Sequence, residues 1–214
     1  MMLSDGTLYH GDRAAGNDGV SMRIIGLTGG IGAGKSEVAR LLAKRDIPVI
    51  NADKLSREVV EPGTKGLKAV IAKFGDTVLR PDGGLNRKAL ATRVFENKRD
   101  RRSLEAILHP LIRERAEAHL GLLEESGAQV VVLESPLLFE ASQDDLCDAV
   151  IVVVSREELR ARRCKRRDGM TLDGFQARLD AQMSDKARIK LADIIVENNG
   201  SLDELRRAVD AIAI

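Results

Sequence analysis

The sequence predicts an α/β fold in which a parallel β-sheet is flanked by helices and carries a helical insertion and a basic lid. Three observations lead to it. Short runs rich in valine and isoleucine alternate with amphipathic stretches, as buried parallel strands and their covering helices do. The first of these runs leads directly into Gly29-Gly30-Ile31-Gly32-Ala33-Gly34-Lys35-Ser36. Between the second and third runs, residues 54–126 read as mostly helical.

Taken in order, Arg23-Ile24-Ile25-Gly26-Leu27 is short and apolar enough for a buried strand, and Glu37–Lys44 has apolar residues at helical spacing. Ile47-Pro48-Val49-Ile50 makes a second strand, with Pro48 tolerable near its start. The helical stretch from Lys54 to Ser126 is punctuated at Pro62-Gly63, Asp82-Gly83-Gly84 and His109-Pro110. Proline disfavours helical geometry in the residue before it, so His109 is expected at a kink. Strands follow at Gln129–Leu133 and Ala149–Val154. Arg156–Arg167 reads as a helix opened by Ser155, with Glu158 completing a capping box. Thr171 opens another helix, Asp193–Val196 is a last strand, and Ser201 with Glu204 caps the closing helix.

Residues 1–21 differ from the rest: four glycines stand among polar residues, and no helical or strand period is present. The segment lacks the basic start and apolar centre of a signal peptide. It is expected to be a disordered extension, or to precede a true start at Met22. Residues 22–214 are then one domain, with a core of 22–53 and 127–214, an insertion of about 54–126 and a lid of about 156–171.

The glycine-rich octet matches the phosphate-binding pattern G-x-x-x-x-G-K-[ST] in its required context of strand, loop and helix start. Its glycines let the backbone curl so that successive N–H groups point at phosphate oxygens, and the helix N-terminus adds partial positive charge. Lys35 can reach the β- and γ-phosphates, and the Ser36 hydroxyl can ligate Mg²⁺. Chance alone supplies the pattern in roughly one per cent of chains this long. The chain therefore reads as a nucleoside triphosphate binder.

Composition narrows the class. A net charge of +1 gives no bulk affinity for nucleic acid or acidic membrane. Four Phe, one Tyr and no Trp leave no stacking surface for single strands. Cys147 and Cys164 lack metal or disulfide spacing and suggest a reducing, cytosolic setting. No apolar run approaches a membrane span. A regulatory GTPase would need Asp-x-x-Gly, which is absent. Asn97-Lys98-Arg99-Asp100 imitates the guanine-reading pattern but follows a helical stretch, and so reads as a solvated turn. Val130-Val131-Val132-Leu133-Glu134 approaches a motor ATPase pattern without the second acidic residue. The glycine spacing is wrong for a dinucleotide-binding loop. A small-molecule kinase remains.

Asp53 follows the strand after the loop helix, at the end where ligands bind in open α/β sheets. It can accept the proton of an attacking hydroxyl, or it can cap the helix starting at Lys54; position alone leaves both open.

Several segments in order resemble the dephospho-CoA kinase family. They are Gly26–Ser36, Ala52-Asp53 with Pro62-Gly63, Leu108-His109-Pro110-Leu111-Ile112-Arg113 and Pro136-Leu137-Leu138-Phe139-Glu140. Arg167-Asp168-Gly169, Arg178-Leu179 with Gln182, and Ala192-Asp193 with Asn198 and Gly200 extend the match. The resemblance implies transfer of the ATP γ-phosphoryl group to the ribose 3′-hydroxyl of dephospho-CoA, with Mg²⁺. The alternative is a kinase for another small hydroxylated acceptor, such as a nucleoside or nucleotide.

By the same resemblance Asp53 is the base, and Lys35 and Arg163 are the other catalytic groups. Gly30, Ile31, Gly32, Ala33, Gly34, Lys35, Ser36 and Glu37 border the triphosphate, with no side-chain chemistry assigned to Glu37. Arg163 and Arg167 would contact phosphates from the lid, leaving the other basic residues near them solvent-facing. Asn198 and Gly200 would form the adenine-side loop, where Asn-Gly equally suits a plain turn. His109, Arg113, Leu137, Leu138 and Phe139 would line the acceptor, though the three apolar residues equally suit the core, and Ser36 is the metal ligand. Asn51 stands where the family usually has a carboxylate.

Overall fold

The computed structural model describes residues 21–214 and the backbone of Leu8–Tyr9. The chain divides into two compact units, Met1–Asn51 with Leu122–Ile214, and Ala52–Gly121.

In the first unit, five strands run parallel: β2 (Arg23–Thr28), β3 (Val49–Asn51), β4 (Val130–Glu134), β5 (Ala149–Val154) and β6 (Ile194–Glu197). Leu8–Tyr9 forms a two-residue strand, β1, antiparallel to β6 at the edge, and the sheet order is β1-β6-β5-β2-β4-β3. The expected disorder of residues 1–21 otherwise falls outside the described residues. The central strand β2 has β4 and β5 on its two sides, so the loop that leaves it emerges at mid-sheet. Strand side chains alternate between faces. Ile25 and Leu27 of β2 pack in a core with Val132, Ile151, Val153 and Val196. Gly26 points to the other face, where a Cβ would come within 2.8 Å of Leu138 Cδ2.

Helix α1 (Lys35–Ala43) buries Val38, Ala39, Leu41 and Leu42, the positions that repeat at helical spacing. With α9 (Leu202–Asp210) it completes the core over the sheet. Two helices match their expected starts. Thr171 caps α7 (Leu172–Asp180) by accepting from Gly174 N–H, and Ser201 and Glu204 form the reciprocal box of α9. The expected box at Ser155 is absent. Helix α6 (Glu157–Asp168) has Arg156 at its N-cap with no side-chain bond, because the Ser155 hydroxyl donates to Asn198 O at 2.7 Å. A further short helix, α8 (Asp185–Lys190), is capped by Ser184.

The second unit begins with α2 (Ala52–Glu58), α3 (Lys65–Phe74) and α4 (Arg87–Glu96). Thr64 caps α3 and Asn86 caps α4 through their side-chain oxygens. A short antiparallel bridge, Leu79 with Leu85, brackets the turn at Asp82-Gly83-Gly84. Leu67, Val70, Phe74, Val78, Leu85 and Leu90 make a core of its own. Helix α5 (Lys98–Glu125) continues unbroken through His109-Pro110, against the expected punctuation. An interior proline costs about 3 kcal/mol through its lost N–H bond and ring clash. The buried row Ile112, Ala116 and Leu120, one residue per turn, compensates for it. Asn97 Oδ1 accepts from Arg99 and Asp100 N–H at the start of α5, so the guanine-like tetrapeptide is a helix cap.

Candidate active site

The phosphate loop joins the end of β2 to α1. Gly34 stands at the N-cap with φ 104°, where a Cβ would be strained and would strike Asn198 Nδ2. Lys35 Nζ donates to Gly29 O at 2.9 Å, folding its chain back over the loop. Ser36 Oγ donates to Glu134 Oε1 at 3.0 Å, and Asn51 Nδ2 donates to Glu134 Oε2 at 2.7 Å. Glu134 is only 6 % exposed, so it is a buried carboxylate with both oxygens held. The hydroxyl in the first turn of α1 and the carboxylate at the end of β4 are hard oxygen donors. They suit Mg²⁺, which prefers one or two protein oxygens together with water and phosphate.

Two sets of side chains brace the loop through its backbone. Asn198 Nδ2 donates to Ala33 O at 2.8 Å, and Arg163 donates to Asn198 O at 2.9 Å and to Ser155 Oγ at 3.0 Å. Arg163 also lies 3.4 Å from Gly32 O and Ala33 O. Burial, and then neighbouring Arg166, lowers the Arg163 pKa from its ordinary value. On the other side, Arg160 Nε donates to Ile31 O at 2.7 Å, and Ile31 N–H donates to Gln182 Oε1 at 3.0 Å.

These contacts show where several of the expected residues lie. The Asn198 amide is turned onto the phosphate loop. Gly200 abuts the Glu204 carboxylate in the turn into α9, where a Cβ would collide with it. The Ile31 amide is already taken by Gln182. Glu37 N–H donates to Gly34 O at 3.0 Å and its carboxylate pairs with Arg40, which lowers its pKa. Arg167 forks onto Asp168 at 2.7 and 2.8 Å, which raises the pKa of the one and lowers that of the other. Arg160, expected to face solvent, is 2 % exposed. Its position three residues before Arg163 and four before Cys164 puts it on the same helix face, and that spacing was the available signal. Leu138 is fully buried, so Leu137 and Phe139 alone of their trio keep exposed surface.

In the second unit, Asp53 is the exposed second residue of α2, two positions beyond Asn51; its carbonyl accepts from Ser56 Oγ at 2.8 Å. His109 is half-buried on α5. Arg113 donates to Glu117 at 2.9 Å, one turn further along.

A sheet of this order, with a glycine-rich loop cradling a helix N-terminus and a buried carboxylate beside its serine, defines a P-loop kinase. The dephospho-CoA kinase family model matches residues 23–204. A curated dephospho-CoA kinase of Geobacter sulfurreducens is 43 % identical over 89 % of this chain and 97 % of its own. Two solved structures agree. A protein from Thermus thermophilus superposes with TM-score 0.76 at 37 % identity, covering 89 % of this chain and 96 % of its own. A Campylobacter jejuni dephospho-CoA kinase gives 0.66 at 28 % identity, covering 87 % and 93 %. The chain belongs to the dephospho-CoA kinase family, a family of transferases that use ATP as phosphoryl donor.

Proposed function

We propose that the chain transfers the γ-phosphoryl group of ATP to the ribose 3′-hydroxyl of dephospho-CoA, giving coenzyme A and ADP, the last step of coenzyme A synthesis. The single observation that carries the reading is the family match across residues 23–204, joined to a phosphate loop with its lysine and serine in place. Loop amides and Lys35 hold the phosphates in line for transfer, and Lys35 neutralises charge that spreads over the transferred group. Mg²⁺ would be held by Ser36 directly and by Glu134 through water. Bound there, it would offset the negative charge of the phosphates.

Asp53 is the base of this reading. It accepts the 3′-hydroxyl proton as the oxygen attacks phosphorus. Its place as the second residue of α2, inside the helix and not at its N-cap, leaves the carboxylate exposed and removes the capping role. Arg163 steadies the loop carbonyls and adds positive charge behind them. His109, Arg113, Leu137 and Phe139 are the acceptor-side residues, and Arg167 closes from the end of α6. The free buried cysteines fit a cytoplasmic setting.

The test is ADP release from ATP and Mg²⁺ with and without dephospho-CoA, with the product weighed by mass spectrometry. Acceptor-dependent release of a product heavier by one phosphate is expected. Release that prefers a nucleoside or nucleotide acceptor would replace the substrate and keep the kinase.

A further inference from the structure

A set of charges centred on two buried arginines holds the backbone of the phosphate loop at Ile31. Arg160 and Arg188 are 2 % and 0 % exposed, which is rare for arginine. Arg160 Nη1 pairs with Asp185 Oδ2 at 2.5 Å. Arg188 pairs with the same carboxylate at 3.5 Å and with Glu140 Oε1 at 3.0 Å. Glu140 Oε1 also accepts from Met183 N–H at 2.9 Å. The chain of charges therefore runs from the segment after β4, through α8, to Arg160 on α6.

It ends on one residue. Ile31 is held by its carbonyl on Arg160 and by its N–H on Gln182. Arg160 Nη2 is buried without a partner among the described residues and lies against Gly30, where any Cβ would collide with it. Pairs with a buried arginine are poor stabilisers, because desolvation of the guanidinium offsets the attraction of its partly exposed carboxylate, and unpartnered Arg160 Nη2 and Arg188 Nε add to the cost. Apolar residues of the same volume would fill the space as well. Charge at this place supplies a fixed position: the guanidinium fork makes two bonds at a set angle, one to Asp185 and one to the backbone of the loop.

We propose that Arg160 and Gln182 are positioning residues for ATP, clamping Ile31 from both sides so that the loop keeps its phosphate-receiving curve. Asp185, Arg188 and Glu140 hold the clamp in place. Neither clamp residue touches the phosphates; each acts through the loop backbone. Only the kinetic half of the test depends on the phosphotransfer reading given above.

The experiment compares Arg160→Lys, Gln182→Met and the double variant by titration with a fluorescent ATP analogue in Mg²⁺, followed by steady-state ADP release with dephospho-CoA. Lysine keeps the charge and loses the fork; methionine keeps the shape and loses the acceptor. Each single change is expected to weaken ATP analogue binding about tenfold, as loss of one well-placed hydrogen bond does. KM for ATP should rise with it, while KM for dephospho-CoA stays within twofold. Because both residues hold Ile31, the double variant should weaken binding by less than the product of the two single effects. Gln182 is half-buried and outside the ion-pair chain, so Gln182→Met decides the question even where Arg160→Lys folds poorly. ATP analogue affinity within twofold of the parent in folded Gln182→Met, or strictly multiplicative effects, overturns the clamp. A parent chain that binds the analogue without acceptor-dependent release removes the substrate assignment and still lets the affinities judge the clamp.

Discussion

Around the phosphate loop, polar side chains are buried and partnered; in the insertion, Asp53 is exposed and His109 and Arg113 are half-buried. Glu134, Asn198 and Arg160 are 6 %, 8 % and 2 % exposed, and each holds a loop atom or the Ser36 hydroxyl. Asp53 is exposed, and the Arg113 side chain keeps 35 % of its surface. A cradle for a triphosphate gains from being fixed beforehand, since its dipoles then need no reorganisation as charge develops. On the proposed function, groups that meet an acceptor with a long flexible arm work from the solvated state and are ordered by binding.

The sharpest way to break this comparison is Asp53→Asn. Turnover should fall by a factor on the order of 10³, the range of a lost general base, with ATP affinity unchanged. Near-normal turnover in an acceptor-dependent assay would leave Asp53 as no more than an acidic residue in the first turn of α2, favoured there by the helix dipole. On the buried side, Glu134→Gln keeps the shape and removes the charge between Ser36 and Asn51. Half-saturation by Mg²⁺ should then move up by about 10–100-fold, the usual effect of disturbing the groups that orient a metal's ligands. An unmoved Mg²⁺ dependence would leave Glu134 a purely structural partner of Ser36.

What the sequence disclosed follows the same division. The strands were readable because buried parallel strands are uniformly apolar; Ala149–Val154 matches to the residue. The loop was readable because its backbone geometry demands glycine at set positions, as at Gly34. The braces were not. Asn198 and Arg160 contact the loop across 165 and 129 residues of chain, and no local spacing records such a meeting. Ser155 carried a capping signal that tertiary contacts overrode, since its hydroxyl is taken by Asn198 O and Arg163. Pro110 carried a breaking signal that lost to the buried row on α5.

Each region also has its own core, and that predicts stability effects of similar size at two places. Leu42→Ala in the sheet unit and Phe74→Ala in the insertion empty sites that are 0 % and 3 % exposed. Each should cost about 2–5 kcal/mol in urea unfolding, set by how far the site collapses. Phe74→Ala should leave ATP analogue affinity unchanged in the folded protein, because the loop and its braces draw on the other core. A parallel loss of affinity would mean that the two cores share one cooperative unit.

The smallest expected effect lies at the end of the chain. Glu204 accepts from Ser201 N–H and, secondarily, from the Ser201 hydroxyl, and these bonds hold its pKa below the usual carboxylate range. A depressed folded pKa means that the ionised form is favoured in the native state. The contribution is therefore complete above the unfolded value and is lost as pH falls through the folded one. Glu204→Gln should lower the urea midpoint slightly at neutral pH. The gap to the parent should begin to close near about pH 4.3, the ordinary glutamate value, and vanish once the parent carboxylate is itself protonated. A gap that stays constant through that window would show that the box stabilises α9 by hydrogen bonding alone, with no part played by charge at the helix N-terminus.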